Sequence, residues 1–173
     1  MSRMKLSRVS VLLFLLFSSA ALGQQGSKLK VIGEVQRLEI STNDLARMPR
    51  ISLDVQDPHS GERHHYQGVR LSDLLARAGA PLGEALKGKA LSKFVLAKAA
   101  DGYAVVYSLA EIDPAMNGNQ AILADTIDGK PLDGKQGPFR IVIPGEKRAA
   151  RWMRMVTSLE ILDALTSSAM SPQ

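Results

Sequence analysis

From Ile51 to Gln56 apolar and polar residues alternate one for one, with Ile51, Leu53 and Val55 against Ser52, Asp54 and Gln56. A period of two is that of a half-buried strand. Asp57-Pro58 and Ser60-Gly61 then mark a turn, and Glu62 to Gln67 is the expected return strand. Leu71, Leu74, Leu75 and Ala78 fall at i, i+3, i+4 and i+7, the spacing of one helix face. Ser72 is the expected N-cap, Gly79 the stop, and Pro81 lies just beyond.

Elsewhere the apolar runs are short. Lys30 to Val35 is β-rich and is expected to be a first strand. Ser41-Thr42-Asn43-Asp44 supplies N-cap residues ahead of Leu45. Pro49 pushes Met48 out of the α region, so the helix there has one or two turns. Phe94 to Ala97 and Tyr103 to Tyr107 read as two strands around Asp101-Gly102. Ser108 and Glu111 form a capping box on a short helix that Pro114 limits. Ala121 to Ala124 is an apolar strand, Asp128-Gly129 a hairpin signal, and Ile141 to Ile143 and Val156 to Leu162 are further strands. Many short strands with few short helices predict an α+β fold with a mixed sheet or barrel-like core. No internal repeat and no low-complexity linker interrupts it.

The first 23 residues carry a different pattern. Arg3, Lys5 and Arg8 precede an apolar run from Val9 to Ala21, and Ala21-Leu22-Gly23 places small residues at the minus-three and minus-one positions of a cleavage site. This is the layout of a secretory signal peptide, and the run is shorter than the roughly 20 residues a bilayer span needs. The expected mature chain is Gln24 to Gln173, periplasmic or secreted and without a membrane anchor. It forms one domain with its core between about residues 30 and 162.

Charge and composition remove several classes. Without Arg3, Lys5 and Arg8, 19 of the 22 Lys and Arg remain against 17 Asp and Glu, a net charge of +2. With few aromatics besides, the mature chain is not expected to bind nucleic acid. The sequence holds no cysteine. That excludes disulfides, a lipidated N-terminal cysteine, thiol nucleophiles and thiolate metal sites within it. There is no P-loop, no G-x-G-x-x-G and no G-x-S-x-G.

Several segments, taken in order, carry a resemblance. They are Tyr66-Gln67-Gly68-Val69-Arg70-Leu71-Ser72-Asp73-Leu74-Leu75, Asp101-Gly102-Tyr103 with Ser108-Leu109, and Ile122-Leu123-Ala124 with Asp128-Gly129-Lys130-Pro131-Leu132. Gly137-Pro138-Phe139-Arg140-Ile141-Val142-Ile143-Pro144-Gly145 and Arg151-Trp152 complete the series. Together they resemble the molybdopterin-binding domain of the sulfite oxidase family. The resemblance implies a molybdenum–pterin cofactor held by a cysteine thiolate after the strand that precedes Tyr66. Here Val55 or a neighbour stands in that place. The resemblance also implies that Arg140 and Arg151 face the cofactor's phosphate or an anionic substrate, and that Asp101 and Tyr103 lie near the cofactor pocket. Exported members typically leave the cytoplasm folded behind a twin-arginine signal, whereas Arg3 and Arg8 are not adjacent.

These residues support three functional expectations. The first is a cofactor-free binding module in which Arg140 and Arg151 line a pocket for a small anion, a pterin-like ligand or a partner protein. The second is a molybdenum oxidoreductase holding its cofactor through pterin contacts alone. The third is an interaction module beside a redox or membrane protein partner. No residue is assigned a catalytic role. Lys147, Arg148 and Arg154 are expected on a solvated basic face. His64 and His65 point to opposite faces of their strand, and with His59 they are expected to be surface or hairpin histidines, not metal ligands.

Overall fold

The computed structural model describes residues 27–118 and 120–167. The expected signal peptide lies outside the described residues. Among the described residues, ten strands form two five-stranded sheets. The chain starts with β1 (Leu29–Ile32) and β2 (Arg37–Ile40), then α1 (Thr42–Ala46), β3 (Ile51–Gln56), β4 (Arg63–Arg70) and α2 (Leu71–Arg77). It continues with β5 (Lys93–Ala99), β6 (Ala104–Ser108), α3 (Leu109–Ile112), α4 (Pro114–Asn117), β7 (Ile122–Ile127) and β8 (Lys130–Pro131). It closes with β9 (Arg140–Val142), β10 (Val156–Asp163) and α5 (Ala164–Ser167). Among the described residues no helix is long and apolar enough to cross a membrane.

The first sheet has the order β2-β1-β10-β5-β6 and is mixed, because β1 and β10 run parallel while the other pairs are antiparallel. The second has the order β3-β4-β7-β8, with β9 also paired to β7, and is antiparallel throughout. The α+β class with a mixed sheet is as expected. The barrel-like core is not: β2 and β6 each pair on one side only, so the first sheet stays open.

Local chemistry explains most boundaries. The β3 alternation is realised residue by residue, with Ile51, Leu53 and Val55 half-buried and the residues between them exposed. The capping boxes at Ser41–Asp44 and Ser108–Glu111 both form. The Asp128-Gly129 turn places both residues at positive φ, 48° and 76°, as a two-residue hairpin requires.

Three details differ from the sequence expectation. The first strand breaks at Gly33, whose N–H bonds the Gln36 carbonyl, and the chain turns back as β2. A β-carbon on Gly33 would strike the Ala78 carbonyl, so the turn can sit there only without a side chain. Ser72 does not cap α2. The helix begins at Leu71, whose N–H bonds the Ala121 carbonyl at 2.9 Å, and Ser72 is buried inside the first turn. Pro114 ends α3 but also opens α4, with the Asp113 carboxylate capping Ala115 N–H.

Leu29, Val31, Val95, Ala97, Leu159 and Ile161 from the first sheet, Leu71, Leu74 and Leu75 from α2, and Ile122, Leu123 and Ile141 from the second sheet share one core. Between β9 and β10 the chain loops out and returns. Ile141 N–H bonds the Met153 carbonyl, and Val156 N–H bonds the Phe139 carbonyl. This return presses Trp152 and Met153 into the core beside Tyr66.

Candidate functional site

The β3–β4 hairpin end, the β5–β6 turn and the return loop before β10 meet around a cavity of about 540 Å³. That lies within the roughly 300–1,000 Å³ range of small-molecule sites. Asp57, Tyr66, Arg140 and Trp152 line its interior. His59, Glu62, His64, Asp101, Tyr103 and Arg154 also line it, and Gln136 borders one side.

Arg140 is the centre of the cluster. It enters on β9, at the start of the strand that pairs Arg140 with Ala124 of β7, and it is only 4% exposed. Its Nη2 donates to Asp57 Oδ2 at 2.8 Å, and its Nη1 donates to Tyr66 Oη at 2.8 Å and to Gln136 Oε1 at 2.5 Å. The guanidinium carbon lies 5.3 Å from the ring centroids of both Tyr66 and Trp152. Those rings meet edge to face at 5.7 Å. A cation close to two aromatic rings gains cation–π attraction that grows as water is excluded. Arg140 Nε is buried and has no hydrogen-bond partner among the described residues. A buried N–H left unpaired costs about 1–3 kcal/mol, which marks this group as one that a rearrangement would satisfy.

Asp57 holds the other side of the pair. Burial alone would raise its carboxyl pKa. The His59 N–H at 2.7 Å and the Arg140 charge outweigh that and hold it below the usual carboxylate range. Burial, with the adjacent Asp57 charge, pushes the Tyr66 phenol up to about 12, against the lowering effect of Arg140. Tyr66 Oη therefore keeps its proton and donates it toward Asp57 at 3.3 Å.

Asp101 and Tyr103 line the same cavity as Arg140. Asp101 Oδ1 accepts from Tyr103 N–H at 3.0 Å, and Tyr103 Oη donates to the Ala150 carbonyl at 2.9 Å. Tyr103 thus ties the β5–β6 turn to the return loop.

Arg151 is not brought to the cavity. Its side chain stacks over Tyr107 at 5.0 Å and donates to Glu146 at 2.8 Å and to Glu111 at 2.7 Å. Two carboxylates already answer its charge, so it clamps the return loop to α3 and does not line a pocket with Arg140. Arg154, expected on a solvated face, is exposed but borders the cavity, and it has no ion pair among the described residues.

His64 and His65 do diverge. His64 Nδ1 meets Asp128 at 2.7 Å and lines the cavity, while His65 Nδ1 meets Asp54 at 2.9 Å. His59 also reaches the cavity. Sequence reasoning passed over Asp57, Tyr66 and Gln136 as site residues. Asp57 looked like a turn residue because Pro58 follows it, and its burial depends on a partner 83 positions away.

A model of the family described as oxidoreductase molybdopterin binding domain matches residues 21–170. The chain belongs to that family. This molybdopterin-binding domain is also similar to the crystal structure of the sulfane dehydrogenase SoxCD from Paracoccus pantotrophus, with 24% identity and a TM-score of 0.61. The match covers 79% of this chain and 38% of that one, and the likeness is one of fold. A comparison with curated proteins finds no match.

The family implies a molybdenum–pterin group, and the donors present do not fit its metal. The sequence offers no thiolate. Among the described residues no group of three or more His, Asp or Glu side chains is placed to hold a metal ion. Val55 is half-buried in β3 opposite His64 and cannot ligate. Asp57, the carboxylate beside it, is committed to Arg140, and a carboxylate is a hard donor where the soft thiolate would stand.

Proposed function

We propose that this member of the molybdopterin-binding domain family is an exported, non-catalytic binding module whose cavity over Arg140 takes a small organic anion. One observation carries the reading. A buried guanidinium lines a cavity of ligand size, flanked by the near-perpendicular rings of Tyr66 and Trp152, with one N–H unsatisfied among the described residues. A fork of N–H donors between aromatic walls suits a carboxylate or similar oxyanion, because water is excluded where the charge-assisted bonds form. Arg154 adds a cation at the cavity that has no ion pair among the described residues. The lack of a metal donor set supports a role other than oxygen-atom transfer. The signal-like residues 1–23 support export.

The test is twofold. Molybdenum and pterin content is measured on protein purified from its native compartment, by elemental mass spectrometry and pterin fluorescence. N-terminal sequencing of the same material is expected to begin at Gln24. Near-zero molybdenum, with thermal stabilisation by millimolar acetate or butyrate that Arg140→Gln abolishes, is the expected result. Molybdenum near one per chain would overturn it in favour of an oxidoreductase that holds its cofactor through pterin contacts alone.

A further inference from the structure

Gln136 stands between two cavities. It lines the one over Arg140, and it lines a second, more open one of about 320 Å³ with Ile127, Lys130, Pro131 and Leu132. Only Ile127 and Gln136 are common to both.

The Gln136 backbone is fixed. Its N–H bonds the Asp133 carbonyl and carboxylate, each at 3.1 Å, and its carbonyl accepts from Met155 N–H at 3.2 Å. Among the described residues its side chain bonds only Arg140 Nη1, through Oε1. Turning that side chain aside exchanges one hydrogen bond and leaves the loop in place. A carboxylate oxygen makes the stronger, charge-assisted bond to a guanidinium than a neutral amide oxygen does. A ligand anion therefore replaces Gln136 on Arg140 with a gain, and the dividing side chain leaves with it.

The charges of the second cavity limit the kind of group that can extend from the anion. Asp128 and Asp133 line it against the single ammonium of Lys130. A second anionic group would meet two carboxylates, whereas an uncharged chain would meet Ile127, Pro131 and Leu132.

We infer that the two cavities are one cleft divided by the Gln136 side chain, and that its ligand is an organic monoanion with an apolar extension. The anionic oxygen takes the place of Gln136 Oε1 on Arg140 Nη1, and the extension lies along Ile127, Pro131 and Leu132. This rests on the anion-binding reading of the first cavity and names its ligand class.

Isothermal titration of the full mature chain with straight-chain monocarboxylates from butyrate to decanoate, and with α,ω-dicarboxylates of the same lengths, tests it. Affinity is expected to rise about three- to fourfold for each methylene that enters the second cavity. A dicarboxylate of equal length is expected to bind at least about tenfold more weakly. Gln136→Glu, which supplies Arg140 with a carboxylate of its own, is expected to weaken every probe. Pro131→Asp, at an exposed position whose folding is checked by circular dichroism, is expected to weaken decanoate more than butyrate.

Butyrate binding with no gain on lengthening would show two separate cavities and overturn this inference while leaving the anion reading intact. Decanoate binding that survives Gln136→Glu would mark non-specific apolar adsorption and overturn it as well. If no carboxylate binds the folded wild-type chain, the anion reading falls and this inference falls with it.

Discussion

Asp57 and Arg140, 83 positions apart in the chain, meet in a 2.8 Å ion pair whose side chains are 9% and 5% exposed. The pair joins the end of β3 to the start of β9. Its position makes it both a support of the fold and the edge of the binding cavity. Removing one partner strands the other in low dielectric, which typically costs about 3–5 kcal/mol. Asp57→Ala is therefore expected to lower unfolding free energy by about that amount in urea titration. Asp57→Leu combined with Arg140→Met is expected to recover part of the loss, because no buried charge remains. A double variant as unstable as the sum of its singles would show that the pair is not coupled.

The pH dependence has a definite sign. Asp57 titrates below its ordinary value of 3.8 in the folded chain, so below that value the unfolded chain takes up the proton more readily. Its stabilisation is complete above pH 3.8 and is lost as pH falls through the folded value. Acid unfolding followed by circular dichroism is expected to be steeper for wild type than for Asp57→Asn in that window.

Tyr66 gives the complementary alkaline signature. Its phenol is pushed from 10.0 to about 12, so the folded chain keeps this proton longer than the unfolded one. The contribution is complete below pH 10 and is lost as pH rises toward 12. Burial pushes the Tyr107 phenol up as well, so ultraviolet difference titration is expected to show two fewer tyrosinates forming near pH 10 in wild type than in urea-unfolded protein, and one fewer in Tyr66→Phe than in its own unfolded form. Tyr66→Phe removes an acceptor from Arg140 and is expected to cost about 1.5–3 kcal/mol.

Arg151 separates clamp from cavity. Its two carboxylate partners are both partly exposed, so each pair contributes about 1 kcal/mol or less. Arg151→Met is expected to destabilise the return loop modestly, seen as faster amide exchange there. Arg140→Met is expected to abolish anion binding. Equal loss of binding in both variants would return Arg151 to the site.

Gly68 tests the packing of the second sheet. A β-carbon there would collide with the Leu123 carbonyl and lie 2.7 Å from Ala124 Cα, where β7 bulges against β4. Gly68→Ala must push two strands apart and is expected to cost at least about 1–3 kcal/mol. Gly129→Ala meets no nearby atom, and its cost comes only from its φ of 76°. Paired thermal melts are expected to place Gly68→Ala well below wild type.

The sequence disclosed what local rules govern. The β3 alternation, the two capping boxes and the Asp128-Gly129 turn each depend on neighbours within a few positions, and each is present. β2 was also legible, since Leu38 and Ile40 alternate with Arg37 and Glu39, but the apolar count of Lys30 to Val35 drew the strand across Gly33. Arg140 was reachable through the Gly-x-x-Arg segment that carries the resemblance. Asp57 and Tyr66 were not, because they meet a guanidinium delivered from 83 and 74 positions away, and Gln136, though only four positions from Arg140, carries no local pattern that aims its side chain at it. Arg151 shows the converse error. It lies close to Arg140 in sequence and carries the same charge, yet Glu111, 40 positions back, decides where its side chain goes.

The parallel pairing of β1 with β10 has a consequence for the order of assembly. β10 is the middle strand of the first sheet and, among the described residues, the last strand in sequence. A polypeptide emerging from a ribosome or a translocation pore delivers β1, β2, β5 and β6 first, and none of them can join β1 to β5 until β10 arrives. Nascent chains truncated before Val156 are therefore committed to an open, protease-sensitive state. The first sheet closes only when β10 has been delivered, which keeps the segments before it threadable until that moment.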